Sequence, residues 1–349
     1  MFDRLPIIAL CSALLFGCTQ ETAKQETTNT PKEIHKTLAI SAIVEHPSLD
    51  DIRRGVIAGL AEQGYQEGKN LTVNFQSAQG NMATAGQIAK QFSADSPDAI
   101  VAISTPSAQT IAAATQSIPI IYTAVSDPVA AKLLDDKGIA TQSNITGLSS
   151  ELPLEPQIEL FQKVKPEAKR IGFVYSSGEM NSVSLKERLK VELPKYGMAL
   201  VDIPINRSSD VAAATRALSG RADLIYTSLD NNVASAMEAM VGVANELKIP
   251  VIASDEFSVR RGATAALGVN DFDFGLTTAK LVAKSLDGTP ANQIKPEVMN
   301  TLTLYVSPKN AQNQGVSLSD ELIKTGMNTD TTPSKAEQKP SEQTANQKP

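Results

Sequence analysis

DAIVAISTPSAQTIAAATQSIPIIYTAVSD, residues 98–127, sets the architecture of the whole chain. Ala99 to Ile103 is a short, wholly apolar run that ends in the polar loop Ser104-Thr105-Pro106-Ser107. Helical spacing follows from Ala108 to Thr115. Ile118-Pro119 then opens a second apolar run, which ends in Ser126-Asp127-Pro128. An apolar strand, a helix and another apolar strand make a parallel unit buried on both faces. Ligands of such sheets sit beyond the carboxyl ends of the strands, where both polar loops lie.

The unit recurs as DLIYTSLDNNVASAMEAMVGVANELKIPVIASD, residues 223–255, with Ile249-Pro250 matching Ile118-Pro119 and Ser254-Asp255 matching Ser126-Asp127. Two copies are too few and too long for a solenoid. They predict two similarly built α/β lobes, each with a polar rim, and a cleft where the rims meet. Strand–helix alternation continues on both sides: strands over 38–44, 71–75, 170–175, 199–205, 263–269 and 301–306, and helices over 49–63, 82–92, 156–164, 272–286 and from Asp127 to about Leu134. The expected fold is two doubly wound parallel-sheet lobes.

Composition bounds the function. The chain has 349 residues and a net charge of −6, enough for two domains and without a basic cluster for nucleic acid. Trp is absent and aromatic residues are sparse, which argues against a base-stacking platform. The only cysteines, Cys11 and Cys18, fall in the first twenty residues. Leu5 to Phe16 is apolar but short of the roughly 20 residues that span a bilayer. It follows Arg4 and ends in Leu15-Phe16-Gly17-Cys18, as a secretory signal with a bacterial lipobox does. Residues 1–17 are therefore expected to be a cleaved signal peptide and Cys18 a lipidated N-terminus. An ordinary signal peptide with incidental cysteines is the alternative. Residues 18–36 form a polar tether, and residues 328–349 a disordered tail.

Enzyme signatures are missing. Gly64 to Asn70 lacks P-loop spacing, and there is no Cys-x-x-Cys, His-Glu-x-x-His or Gly-x-Ser-x-Gly. With only His35 and His46, histidine triads and zinc sites are disfavoured. The reading is a non-enzymatic protein without metal or cofactor. What remains is a set of polar loops at strand ends. Thr105-Pro106-Ser107 and Gly178-Glu179-Met180-Asn181-Ser182 begin helices and suit a carboxylate, although Ser107 and Ser182 would also serve as plain caps. Asp127, Asp230 and Asp255 suit a ligand ammonium, or cap the helices that follow them. His46 ends the first strand and either lines the cleft or lies in a surface loop.

Several segments together resemble a known family: EHPSLDDIRRG (45–55), YQEGKN (65–70) with SAQGNMAT (77–84), STPSAQ (104–109), TAVSDPVAA (123–131), NITGLS (144–149), SSGEMNSV (176–183), SLDNNVASAME (228–238) and ASDEFSVRRGATAALGVNDFDFG (253–275). The chain resembles the substrate-binding lipoproteins of bacterial ABC transporters, in the group with tryptophan- and tyrosine-binding members. The resemblance implies a type I periplasmic binding protein fold, with a three-crossover hinge near 144–149, 265–270 and 300–305. The N-terminal lobe would then be 37–147 plus 270–298 and the C-terminal lobe 148–269 plus 299–327.

By position the resemblance also implies ligand-lining roles. Thr105, Ser107, Ser126 and Asp127 would act from the first lobe. Gly178, Glu179, Asn181, Ser182, Asp230, Asn231 and Asp255 would act from the second, with His46 and Leu49 at the mouth. Ser228-Leu229-Asp230-Asn231-Asn232 departs from relatives, which often carry Thr before the Asp and after the Asn; selectivity is therefore left open. The implied role is a monomeric, lipid-anchored, extracytoplasmic receptor that delivers an amino acid, aromatic by the resemblance, to an ABC permease and its ATPase subunit. Alternatives are a sensor of the same fold signalling to a membrane partner, an importer of another solute, and a cytoplasmic effector domain, which the N-terminal segment disfavours.

Overall fold

The computed structural model describes residues 35–150 and 152–333. The expected signal peptide, Cys18 and nearly all of the tether lie outside the described residues, as does the tail from residue 334 onward.

The first lobe runs β1 (Lys36–Ala42), α1 (Pro47–Glu62), β2 (Leu71–Ser77), α2 (Met82–Asp95), β3 (Ala99–Ile103), α3 (Thr105–Ala114), β4 (Ile120–Val125) and β5 (Ile145–Ser149). The second continues with α4 (Leu154–Val164), β6 (Arg170–Ser176), α5 (Met180–Glu192), β7 (Ala199–Ile205), α6 (Val211–Arg216) and β8 (Leu224–Tyr226). It goes on through α7 (Asn231–Ser235), α8 (Met237–Leu247), β9 (Val251–Ala253), α9 (Glu256–Arg260) and β10 (Ala265–Gly268). The chain then returns to the first lobe as α10 (Asp271–Leu286) and β11 (Glu297–Val298). It ends in the second with β12 (Thr303–Val306), α11 (Pro308–Asn313), α12 (Asp320–Thr325) and β13 (Met327–Asn328).

The first sheet has the order β11-β5-β4-β3-β1-β2, and every pair in it is parallel. The apolar run of β3 is fully buried because both faces are covered. Ala99, Val101 and Ile103 join the core under α1 and α10, while Ile100 and Ala102 join the core under α2 and α3. The second sheet has the order β13-β12-β10-β9-β8-β6-β7. Phe173 on β6 packs toward α4 and α5, and Val174 next to it packs toward α6 and α8. The backbone passes between sheets three times: after β5, after β10 and after β11.

The structure corrects four expectations. The second sheet is mixed, because β12 lies antiparallel to β10. Strands β6 to β10 run toward the cleft, whereas β12 arrives from the cleft side after the third crossover and runs away from it, and β13 lies parallel to β12. The residues after Asp127 form turns instead of a helix, closed by Ala131 N–H donating to Asp127 O at 3.0 Å. The helical stretch of the second repeat is split at Ala236 into α7 and α8. Residues 328–333 are ordered: β13 pairs with β12, and Asp330 accepts from Ser307 Oγ (2.6 Å) and Lys309 N (3.1 Å).

One close approach positions the cleft. A Cβ on Gly55 would stand 2.3 Å from Phe272 O, and one on Gly275 would stand 2.2 Å from Ile52 O. Helices α1 and α10 therefore touch backbone to backbone, which brings the first turns of both to the same wall of the cleft.

Candidate functional site

A cavity lies between the lobes, with about 730 Å³ of space between atoms when the part open to solvent is counted. Four strand ends build it. After β1, Pro47 starts α1 and presents Ser48, Leu49 and Ile52, with His46 half-buried beside them. After β3 come Ser104 and Thr105 at the start of α3. After β8 come Thr227, Leu229, Asp230 and Asn231, and after β9 come Ser254 and Asp255. The crossovers add Ser150, Leu152 and Val269, and the first turn of α10 adds Asp271 and Phe274. Leu49, Ile52, Leu229, Met237, Val269 and Phe274 form apolar wall. Among the described residues lining the cavity there is no Lys or Arg.

Of the residues expected from sequence, His46, Leu49, Thr105, Asn181, Asp230, Asn231 and Asp255 meet at this cavity. Ser126 and Asp127 line a smaller recess with Arg188 and Tyr226. Gly178 and Glu179 line a third, against Met82 and Pro106 of the first lobe. Ser107 and Ser182 are buried inside the first turns of α3 and α5 and cap neither helix; Ser104 and Glu179 hold the cap positions.

Of the two roles open to the three aspartates, ligand contact or capping, the structure shows the second. Asp230 is 1% exposed. It accepts from Ser176 N (2.6 Å), Ser176 Oγ (2.8 Å), Ser182 Oγ (2.7 Å) and Val233 N (3.0 Å). Asp255 accepts from Ser258 N (2.8 Å) and Ser258 Oγ (2.6 Å), and from Ser48 Oγ of the other lobe at 3.0 Å. Asp127 accepts from Ala130 N (2.8 Å) and from Ser184 Oγ across the cleft. All three carboxylates are engaged by donors of the protein itself, as caps and as cross-lobe links.

The unengaged groups are others. Ser104 Oγ, Ser150 Oγ, Asn181 Oδ1 and Asp271 Oδ2 are buried and lack a hydrogen-bond partner among the described residues. All four residues line the cavity. Ser104, Ala124 and Leu229 also line it, with φ of 81°, 54° and 52°. Left-handed backbone at non-glycine residues costs on the order of 1–3 kcal/mol each and gathers at functional sites. Residue type does not mark such conformations, which is why none of the three was expected. Asp271 had one signal, its position just after the expected second crossover.

Burial moves the titrating groups. His46 is pushed down to about 4, mainly by loss of hydration and secondarily by Arg261, against the opposing pull of Asp255. Glu179 is pushed up to about 8 by burial and by the nearby Asp230, although Asn231 Nδ2 donates to it at 2.6 Å. Asp271 is raised well above the usual carboxylate range by burial, and further by Asp255 and Asp51. Near neutrality the cavity thus holds a neutral imidazole, and burial disfavours the charged form of Asp271.

Comparison with known proteins matches residues 37–329 to the family described as ABC transporter substrate binding protein. The tyrosine-binding protein of Clostridioides difficile is 38% identical over 301 residues, covering 84% of this chain and 86% of its own. A Streptococcus pneumonia domain crystallised with L-Trp is similar at TM-score 0.80 and 29% identity, covering 84% of this chain and 98% of that one. A ligand-free, open substrate-binding protein from Clostridium difficile gives TM-score 0.64 at 35% identity, with the same coverage. In this structure the Ser48–Asp255 bond links the two lobes across the cavity.

Proposed function

The chain belongs to the ABC transporter substrate-binding protein family, and from that premise we propose that it captures an aromatic amino acid in the interlobe cavity and delivers it to a permease. The observation that carries this reading is the cavity's division into bare polar groups and apolar wall. The ligand carboxylate sits at the start of α3, where Ser104 caps without a side-chain bond. The first N–H groups of a helix and its dipole favour an anion there without any cationic side chain. The Ser104 and Ser150 hydroxyls supply further donors. The side chain lies along Leu49, Met237 and Phe274, where apolar burial contributes about 25 cal/mol per Å². Tyrosine- and tryptophan-binding relatives support this ligand class.

Family membership supports the delivery step. Ligand bridging both lobes stabilises the closed form, and that form is what the membrane permease and its ATPase subunit accept. A location outside the cytoplasm at a membrane accords with the family, and lipidation of Cys18 is the proposed means of attachment.

The test is a thermal-shift screen of the purified protein, denatured and refolded to strip bound ligand, against the common amino acids, peptides and sugars. At a thousandfold excess over Kd, a true ligand adds about 4 kcal/mol to the folded state. A shift confined to aromatic amino acids is expected. Shifts with sugars and none with amino acids would end this reading.

A further inference from the structure

We propose that Asp271 is the group that recognises the ligand's ammonium, and that the cavity selects for that cation more strongly than for the carboxylate. The inference rests on the amino acid reading above and deepens it.

Asp271 opens α10 at the second crossover and is 5% exposed. It lines the cavity, and its Oδ2 has no hydrogen-bond partner among the described residues. Asp230 and Asp255 line the same space, but hydroxyl and amide donors of the protein satisfy them. Ser48 stands beside the Asp271 carboxyl group, yet its single hydroxyl proton is given to Asp255. An unsatisfied buried carboxyl group is costly, and a ligand ammonium removes that cost with a charge-assisted bond.

The opposite ligand group meets a different environment. No Lys or Arg among the described residues lines the cavity, and His46 is neutral near pH 7. The carboxylate is met only by neutral donors. An aromatic amine that lacks the carboxylate therefore loses neutral hydrogen bonds, whereas an aromatic acid that lacks the ammonium leaves Asp271 bare.

The same geometry sets a proton balance. In the empty cavity burial favours the protonated form of Asp271, and so do the charges that face it: Asp255 before α9, Asp51 paired with Arg54 on α1, Glu256 paired with Arg260 on α9, and Tyr305 on β12. An arriving ammonium favours the carboxylate instead, so binding is coupled to release of whatever proton Asp271 holds. Affinity then rises with pH up to the point where Asp271 ionises unaided.

The test is calorimetry on the wild-type protein and Asp271→Asn, with L-tyrosine and L-tryptophan, with tyramine and tryptamine, and with the two deaminated aryl-propionates. Asp271→Asn replaces an uncompensated acid with a neutral isostere, so its unliganded thermal midpoint should match or exceed wild type. The wild type should bind the amines at least tenfold more tightly than the propionates. The variant should lose at least a hundredfold for amino acids and amines, keep its affinity for propionates, and abolish the buffer-dependent proton release. If the variant binds the amino acids within threefold of wild type, the Asp271 assignment fails while the amino acid reading stands. If the propionates bind as tightly as the amines, the charge preference fails. If the wild type binds neither amino acids nor amines, both the assignment and the amino acid reading fail.

Discussion

The two repeated units, 98–127 and 223–255, reach the same cavity with the same strand and loop, yet their helix starts are finished in opposite ways. In the second, Asp230 closes the start of α7 and gathers Ser176, Ser182 and Val233 around its carboxylate. In the first, Ser104 stands at the cap of α3 with no capping bond and with its hydroxyl unpartnered. The saturated end is architecture, because every donor is already used. The bare end has donors to give, so it is the end that can answer a ligand. Which strand end serves binding thus depends less on residue type than on whether the protein has already consumed its hydrogen bonds.

The sharpest way to break this contrast is Asp230→Ala. It leaves buried hydroxyl and amide donors without an acceptor, and each such group costs about 1–3 kcal/mol. We expect a stability loss of roughly 3 kcal/mol or more by urea denaturation, with affinity in the folded fraction kept within about tenfold. Unchanged stability with abolished binding would make Asp230 a ligand group and erase the distinction between the two ends.

Glu179 sharpens the saturated side. It lies near Asp230 in the same buried corner, and burial first, with the Asp230 charge second, raises it to about 8. A carboxyl group whose folded value is raised stabilises the protein at low pH. That stability is fully present below the ordinary value near 4.5 and is lost as pH rises toward about 8. Glu179→Gln should remove this decline, flattening the thermal midpoint between pH 5 and pH 8 relative to wild type. His46 acts in the opposite sense. Its lowered value makes stability fall as pH drops from about 6.5 to about 4, and the fall ends there.

Most of the fold was legible because burial on both faces writes itself into composition. β3 and β4 are continuous apolar runs, and their boundaries follow from Pro119 and the polar loops. Chain direction has no such signature, so the antiparallel entrance of β12 was invisible. The site was legible in part. Strand-end loops are recognisable by polarity, which brought seven of the expected residues to the main cavity. Polarity cannot tell an engaged carboxylate from a free one, so the choice between capping and ligand contact stayed open for Asp230 and Asp255. Asp271 stood one residue before the helix expected over 272–286 and carried no motif, and the strain at Ser104 lacked the glycine that usually marks it. Burial and partner count are properties of the assembled molecule.

Ser104→Gly tests the bare side, and its two readouts should move in opposite directions. Glycine adopts φ of 81° without strain, so stability should rise by about 1 kcal/mol after the entropic penalty of glycine. The lost hydroxyl should weaken amino acid binding about tenfold. A gain in both would mean that the hydroxyl faces the cavity without serving the ligand.

The smallest expected effect belongs to the link between the lobes. Ser48 Oγ on α1 donates to Asp255 Oδ1 across the cleft, a bond that separation of the lobes would break. Ser258 still satisfies Asp255 after Ser48→Ala, so the fold should be unaffected. The closed form loses roughly 1 kcal/mol relative to the open one, or about fivefold in affinity. Most of that loss should appear as faster dissociation, since closure follows capture. The discriminating feature is uniformity. Ser48→Ala should weaken the amino acid and the amine by the same factor, because it changes the lobe equilibrium and not the contacts of any one ligand group. A loss that depends on whether the ligand carries a carboxylate would place Ser48 in the binding surface itself, and the division between linking and ligand-reading groups would have to be redrawn at α1.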